Sequence, residues 1–210
     1  MALIRRRWFL GALAAFAVAG AGFWTGTRRP APDLISSTCE GTDLMPRKIL
    51  VAYATRTGST AKVAEAIGRR LCDAGLGADV RPIAEVDTLD GYDGAVLGSA
   101  IRYAAWLPEI VDFLEAHRGR LSEMPVAFFT MHMLALGDDA AAVAERTKYT
   151  AMARQFVDPI EEAFFEGMID MARLSLFDRI AVRLVKSPVG DRRDWQRIGN
   201  WADALARRLA

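Results

Sequence analysis

Hydroxyl side chains cluster around one glycine directly after an apolar segment at 48–54. They are Thr55, Thr57, Ser59 and Thr60, with Gly58 between them. A phosphate at such a turn can accept hydrogen bonds from backbone N–H groups and hydroxyls, and it meets the positive end of the helix that follows. Gly58 lets the backbone approach the anion closely. The cluster predicts a phosphate site, and the alternative is an ordinary Ser/Thr helix cap.

The chain lacks the motifs of two common nucleotide-binding loops. Neither GxxxxGK followed by Ser or Thr nor GxGxxG occurs in it, which argues against a nucleoside triphosphatase loop and a dinucleotide fingerprint. A loop without an obligatory lysine suits a terminal monophosphate that is held mainly by hydrogen bonds.

Alternating strands and helices are expected to position this turn. Apolar runs predict strands at 48–54, 78–83, 93–100 and 124–133, with a weaker one at 159–169. Helical patterns occupy 59–75, 106–121, 138–156 and 194–209. This alternation is typical of a parallel sheet with helices on both faces, where ligands bind beyond the carboxyl ends of the strands. The loops 54–60, 99–106 and 130–138 are therefore expected to form the site.

Composition narrows the class of protein. The 210 residues are 52% apolar and 25% charged, as in a globular protein, and the formal net charge of +1 gives no field that would attract nucleic acid. Cys39 and Cys72 fit neither a disulfide framework nor a metal-ligand spacing, so we predict no role for them and no metal site.

The N-terminal segment differs from the rest of the chain. Arg5–Arg7 precede an uncharged apolar run at 8–24, near the shortest length that spans a bilayer. The string RRWFL resembles the twin-arginine export motif of proteins that are exported folded. We expect 1–27 to be a signal or membrane anchor, 28–46 a linker outside the fold, and 47–210 the domain.

This leader predicts a membrane-associated protein that is exported to, or faces, the periplasm. The alternative is an uncleaved helix that leaves the domain on the cytoplasmic face of the inner membrane.

The phosphate loop resembles the flavodoxin signature. The matching positions are Tyr53, Thr55, Gly58, Thr60, Ala64 and Ile67, whereas Ala52 departs from the larger apolar residue usual there. The resemblance implies a flavodoxin-like α/β fold: a doubly wound, five-stranded parallel sheet of order 2-1-3-4-5 with helices on both faces. It also implies flavin mononucleotide (FMN) as cofactor, with its phosphate bound by Thr55, Arg56, Thr57, Gly58, Ser59 and Thr60.

The string GSAIRY at 98–103 resembles a subfamily, the menaquinone-dependent protoporphyrinogen dehydrogenases. The resemblance covers roughly 47–210 and implies an FMN-dependent oxidoreductase that passes electrons from a reduced substrate, such as a porphyrinogen, to a quinone. The segments 167–179 and 187–195 depart from the subfamily pattern. These departures bear on the identity of the substrate more than on the binding of flavin.

The same resemblance implies roles in the second and third loops. Backbone amides of Ser99, Ala100, Ile101, Arg102 and Tyr103 would meet the flavin edge, with Tyr103 or Trp106 stacked on the ring. Arg102 would favour the anionic reduced flavin or bind a substrate carboxylate. Met131 and His132 would border the flavin. The alternatives are a core role for Trp106, a solvated Arg102 and a structural His132. No catalytic acid or base is predicted, because the flavin itself accepts the electrons.

A basic amphipathic helix is predicted at 174–187. One face carries Leu176, Phe177, Ile180, Ala181 and Leu184, and another carries Arg179, Arg183 and Lys186. Such a helix suits a membrane surface, and the alternative is a helix packed on the sheet. We therefore expect contact with a membrane through 8–24 and 174–187. The alternative functions are an electron-carrier flavodoxin of the cell envelope and an interaction module without flavin.

Overall fold

The computed structural model describes residues 30–42 and 46–210. The signal or anchor predicted at 1–27 lies outside these residues. Within them, no helix combines the length and apolar character that a bilayer crossing requires.

A mostly parallel sheet forms the centre of the domain. Its parallel strands are β2 (Lys48–Ala54), β3 (Gly77–Pro82), β4 (Gly94–Arg102), β6 (Val126–His132) and β7 (Glu161–Glu166). They lie in the order β3-β2-β4-β6-β7. Numbered along the chain, this is the predicted order 2-1-3-4-5, so the flavodoxin-like fold is confirmed.

Helices cover both faces of the sheet. They are α1 (Ser59–Asp73) and α5 (Trp195–Leu209) on one face and α2 (Pro108–Leu121) on the other. A further helix, α3 (Ala140–Thr147), follows β6. Because side chains alternate along a strand, Ile49, Val51 and Tyr53 of β2 pack with α1 and α5, whereas Leu50 and Ala52 pack with α2. This arrangement buries β2 on both sides and directs its carboxyl end into the phosphate loop.

The predicted helix at 138–156 is shorter than expected. Asp139 caps α3, and its Oδ1 accepts hydrogen bonds from the amides of Ala141 and Ala142. After Thr147 the chain continues in 3₁₀ turns at 148–150 and 153–155, where Tyr149 and the β-branched Thr150 favour the α-helix less. The predicted strand at 159–169 is likewise divided into β7 and β8 (Met168–Ile169), and β8 pairs with β9 (Gly190–Asp191).

Part of the segment predicted to be a linker belongs to the sheet. Residues Ser37–Cys39 form β1, which pairs antiparallel with the edge strand β3. Cys39 is bonded to Cys72 of α1, with a Cα–Cα distance of 6.3 Å. The predictions of a linker outside the fold and of cysteines without a role are wrong here, because spacing along the chain did not reveal that β1 brings Cys39 beside α1.

Residues 170–187 fall in a compact unit separate from the rest of the described domain. This unit contains α4 (Leu176–Leu184), which lies within the predicted amphipathic helix. Ser175 caps α4 by accepting the amide hydrogen of Asp178. The side chains of Leu176, Ile180 and Leu184 are exposed.

Candidate functional site

The turn between β2 and α1 leaves the start of the helix open to a ligand. Gly58 occupies the N-cap with φ 88°, a left-handed conformation that suits glycine. Among the residues that the structure describes, no side chain caps α1. The Thr55 hydroxyl accepts a 3.0 Å hydrogen bond from the Gly58 amide, so it shapes the loop instead of capping the helix. The first N–H groups of a helix need external partners. This turn therefore presents them, with the positive helix end, to an anion.

Thr60 tests whether a phosphate fits this turn. Its side chain is fully buried, and its Oγ1 has no hydrogen-bond partner among residues 30–42 and 46–210. A buried hydroxyl without a partner costs about 1–3 kcal/mol, and a phosphate oxygen could accept its hydrogen. Ser59 is also buried beside it. These residues fit a monophosphate group that is held by neutral donors.

Arg56 has a different role from the other residues of the loop. Its guanidinium forms a bidentate ion pair with Glu109 at the start of α2, through Nη1 to Oε1 and through Nη2 to Oε2 at 2.7 Å. Both side chains are one-third exposed. The pair joins the phosphate loop to the element that follows the second loop, and Glu109 already balances the charge of Arg56.

The second loop is a tight hairpin. The end of β4 pairs with β5 (Ala105–Trp106), so that Ile101 faces Trp106 and Arg102 faces Ala105. The two tip residues Tyr103 and Ala104 have φ values of 54° and 58°, a conformation for which such turns usually employ Asn and Gly. Tyr103 is 80% exposed, and the Arg102 guanidinium lies 4.8 Å from the centre of its ring. The hairpin thus presents an aromatic ring with a cation beside it.

Trp106 cannot provide the stacking predicted for it. Its side chain is only 3% exposed, its indole N–H donates to Thr130 Oγ1 at 2.9 Å, and its ring lies 4.8 Å from that of Phe128. The core alternative therefore holds. The Ser99 side chain supports the same turn, because its Oγ accepts the amide hydrogen of Leu107 and donates to the carbonyl of Ala100; the role of its backbone amide at the flavin stays a prediction. Of the two predicted stacking residues, only Tyr103 is accessible.

The third loop places Met131 and His132 at the end of β6, but both are buried. Met131 packs in the core. His132 Nδ1 lies 2.7 Å from the carbonyl oxygen of Leu134. Because a carbonyl only accepts, Nδ1 carries the hydrogen. Burial lowers the pKa of His132 below its usual 6.5, and Arg146 acts in the same direction. His132 is therefore neutral at pH 7 and holds the start of the loop, as in its structural alternative.

The three loops lie at the carboxyl edge of a flavodoxin-like sheet. The comparison with known proteins supports the same fold. The flavodoxin domain model matches residues 50–196. The chain belongs to the flavodoxin domain family. Flavodoxin 1 from Bacillus cereus has the same fold, with a TM-score of 0.51 at 15% identity over 78% of this chain and 99% of that one. The cofactor of this flavodoxin domain is FMN.

Curated relatives are enzymes by name. The protoporphyrinogen IX dehydrogenase (quinone) of Escherichia coli K12 is 28% identical over 176 residues, which are 76% of this chain and 94% of that protein. The Leishmania major protein of the same name is 28% identical over 155 residues, which are 70% of this chain and 65% of that protein.

Sequence reasoning missed Arg146, which organises the third loop of this flavodoxin domain. Although Arg146 is only 7% exposed, its guanidinium donates to the carbonyls of Ala135 and Gly137 and to Asp138. Ala135 and Gly137 both have positive φ, so Arg146 supports a sharply turned loop. An arginine two residues after the Ala-rich run 140–144 was the available signal.

Sequence reasoning also missed a cavity of about 230 Å³ at the end of β7. It is lined by Phe165, Glu166, Arg192, Asp194 and Arg197. Arg192 is paired with Glu166 at 2.8 Å, whereas the Arg197 guanidinium forms no hydrogen bond or ion pair within 30–42 and 46–210. Glu166 faces His132 across the β6–β7 pairing. The cavity therefore lies one strand beyond the third loop and contains a cation that could bind an anionic group.

Proposed function

We propose that this protein is an FMN-dependent dehydrogenase that passes electrons from a reduced, carboxylate-bearing substrate of the porphyrinogen class to a quinone. The observation that carries the proposal is the match to the E. coli dehydrogenase over 94% of that protein's length. The uncapped helix at Gly58 and the buried, partnerless Thr60 hydroxyl support the flavin part of it.

Different residues of the chain would bind the phosphate of FMN, contact its ring and bind the substrate. Bound FMN accepts and releases the electrons. The phosphate loop anchors it, and the Arg56–Glu109 pair braces that loop against α2. The hairpin of Arg102 and Tyr103 offers an aromatic surface and a cation. Arg197 offers a second cation for a carboxylate of the substrate.

Contact with a membrane belongs to the same proposal, because a quinone is dissolved in lipid. The helix α4 exposes Leu176, Ile180 and Leu184. It also carries Arg183, and Lys186 follows its end, so that apolar and basic residues together suit an anionic bilayer surface. Sedimentation of the full chain with anionic and with neutral vesicles tests this. Ile180→Asp with Leu184→Asp should reduce binding to both, and unchanged binding would remove α4 from the proposal.

The deciding experiment is an enzyme assay on the FMN-loaded protein. Protoporphyrinogen should reduce the flavin, and a menaquinone analogue should reoxidise it over many turnovers. An Arg197→Gln variant should raise KM for the carboxylate substrate more than it lowers kcat. An Arg207→Gln variant, at the far end of α5, is the control and should change neither value.

The alternative is an electron-carrier flavodoxin, and the assay separates it from the enzyme. A carrier would accept electrons from a flavodoxin reductase and pass them to a protein without oxidising protoporphyrinogen. The near-neutral charge of the chain is unlike that of the acidic carriers. An FMN-loaded protein that is reduced only by a reductase would favour the carrier and reject the enzyme.

A further inference from the structure

An N-terminal strap, residues 33–42, runs along the open edge of the sheet. Its strand β1 pairs with β3, so that Ser37 faces Val80 and Cys39 faces Ala78. Near its beginning, the Tyr53 hydroxyl accepts the Ile35 amide hydrogen at 2.7 Å and donates to the Ile35 carbonyl at 2.9 Å. Near its end, the Thr42 amide donates to the Gly75 carbonyl at 3.1 Å. The strap is thus hydrogen-bonded to the domain near its beginning, in its middle and at its end.

A covalent bond closes the strap. Cys39 on β1 is joined to Cys72 in the last turn of α1, 33 residues later. No cysteine is left free in the chain. Both cysteines are only partly buried and pack against the core. Thr38 and Glu40, which flank Cys39 in the sequence, are exposed. A thiol–disulfide exchange partner can therefore reach this pair.

The closed strap connects two elements that form the phosphate loop. Cys72 lies on α1, which begins at that loop, and Tyr53 lies two residues before Thr55. The strap consequently holds the end of β2 through a hydroxyl and the end of α1 through a sulfur bridge.

We infer that the Cys39–Cys72 bond is a maturation step, made by a disulfide-bearing oxidant in an oxidising compartment after the chain has left the cytoplasm. Two cysteine thiols lose two protons and two electrons, and the disulfide of the oxidant is reduced to two thiols. Disulfides of this kind persist in the bacterial periplasm and are rare where thioredoxin and glutathione keep thiols reduced. The inference rests on the cysteines alone and does not depend on the proposed function.

This inference has a consequence for the substrate. A domain that matures outside the cytoplasm meets its electron donor there, and the donor must then be available on that side of the membrane. The compartment therefore restricts the substrates that the proposed dehydrogenase can use.

Thiol trapping on the full chain tests the inference. The chain is expressed in a bacterial host, thiols are blocked on lysis, and a maleimide-polyethylene glycol reagent then counts thiols before and after reduction by its gel shift. We expect no reactive thiol in the envelope fraction until reductant is added, and then two. Two thiols in the envelope chain without reductant would overturn the inference.

Two variants make the test specific. Cys39→Ser should leave one reactive thiol in the same fraction, which shows that the reagent reaches Cys72. Arg6→Lys with Arg7→Lys should retain the chain in the cytoplasm with two reactive thiols. If the retained chain is as oxidised as the exported one, the compartment is not what makes the bond, and the inference fails. A host that lacks its envelope thiol oxidant should yield an exported chain with two reactive thiols, and an oxidised chain in that host would equally count against it.

Discussion

At the scale of single residues, the phosphate loop has two features that lack partners among the described residues. Within the part of the chain that the structure describes, the buried Thr60 hydroxyl has no hydrogen-bond partner and α1 starts without a side-chain cap. Folded proteins satisfy nearly all buried polar groups, so such deficits mark a place where a ligand completes the structure. The sequence indicated this loop because its hydroxyls are local. It could not show that Arg56 meets Glu109, since that pair joins residues distant along the chain.

Thr60→Val should therefore separate cofactor binding from stability. The valine has a similar shape without the hydroxyl, so the apoprotein should gain about 1 kcal/mol in free energy of unfolding, while a lost hydrogen bond to phosphate should weaken FMN binding roughly 10- to 100-fold. Urea unfolding and fluorescence titration measure the two effects. Thr147→Val, at a hydroxyl bonded only to the Ala144 carbonyl of its own helix, should change neither. A Thr60→Val protein that binds FMN normally would remove Thr60 from the site.

Asp79 should give the domain a dependence on acid pH. Burial alone would raise the pKa of Asp79, but hydrogen bonds from Lys48, Tyr92 and Thr38 outweigh it and hold the pKa below the usual 3.8. Because the folded pKa is the lower one, this stabilisation is complete above pH 3.8 and disappears as the pH falls through the folded pKa.

Asp79→Asn should lower the free energy of unfolding by about 1–3 kcal/mol at pH 7 and should flatten its decline in acid. Urea unfolding from pH 7 down to pH 3 checks both effects. Asp90→Asn, at a surface carboxylate, serves as the control. An acid decline that is unchanged in Asp79→Asn would assign the pH dependence to other groups.

At the scale of elements, the parts set by local pattern could be predicted and the parts set by distant pairing could not. The apolar runs predicted the parallel strands, because a strand buried on both faces has a continuous signal. The strands β1 and β5 are too short to give such a continuous signal. They form because β1 can pair with β3 and β5 can pair with the end of β4. Trp106 was placed on the flavin because β5 was not foreseen; once the chain turns back at Tyr103, the indole enters the core.

The hairpin between β4 and β5 should store strain at its tip. Ala104 has a Cβ at φ 58°, a conformation that costs a residue with a side chain about 1–2 kcal/mol. Ala104→Gly should therefore raise the free energy of unfolding by about 1 kcal/mol, as measured by urea unfolding. Ala144→Gly, at an exposed position in the middle of α3, is the matched change with the opposite sign, because glycine destabilises a helix interior by roughly 0.5–1 kcal/mol. A loss of stability in both variants would show that the tip is not strained.

At the scale of the whole molecule, the strap adds an N-terminal closure to a flavodoxin domain. The bridge links residues 33 positions apart, and by the chain-entropy account such a bridge contributes about 2–4 kcal/mol. Cys39→Ser with Cys72→Ser should lower the free energy of unfolding by about this amount. Reductant should bring the wild type down to the same value and leave the variant unchanged. If reductant left the free energy of unfolding of the wild type unchanged, the bridge would not have this stabilising role.

The bridge and the Tyr53 hydroxyl should act together, because they hold the same strap at different points. With the bridge intact, Tyr53→Phe removes two hydrogen bonds to Ile35 and should cost about 1–2 kcal/mol. Without the bridge, the strap is retained by the short pairing of β1 with β3 and by single hydrogen bonds such as that of Thr42 to Gly75. It should then detach more readily, and the same substitution should cost much less. A double-mutant cycle measures this coupling. Equal costs in both backgrounds would mean that the strap stays docked without its bridge, and that the bridge acts on the unfolded chain alone.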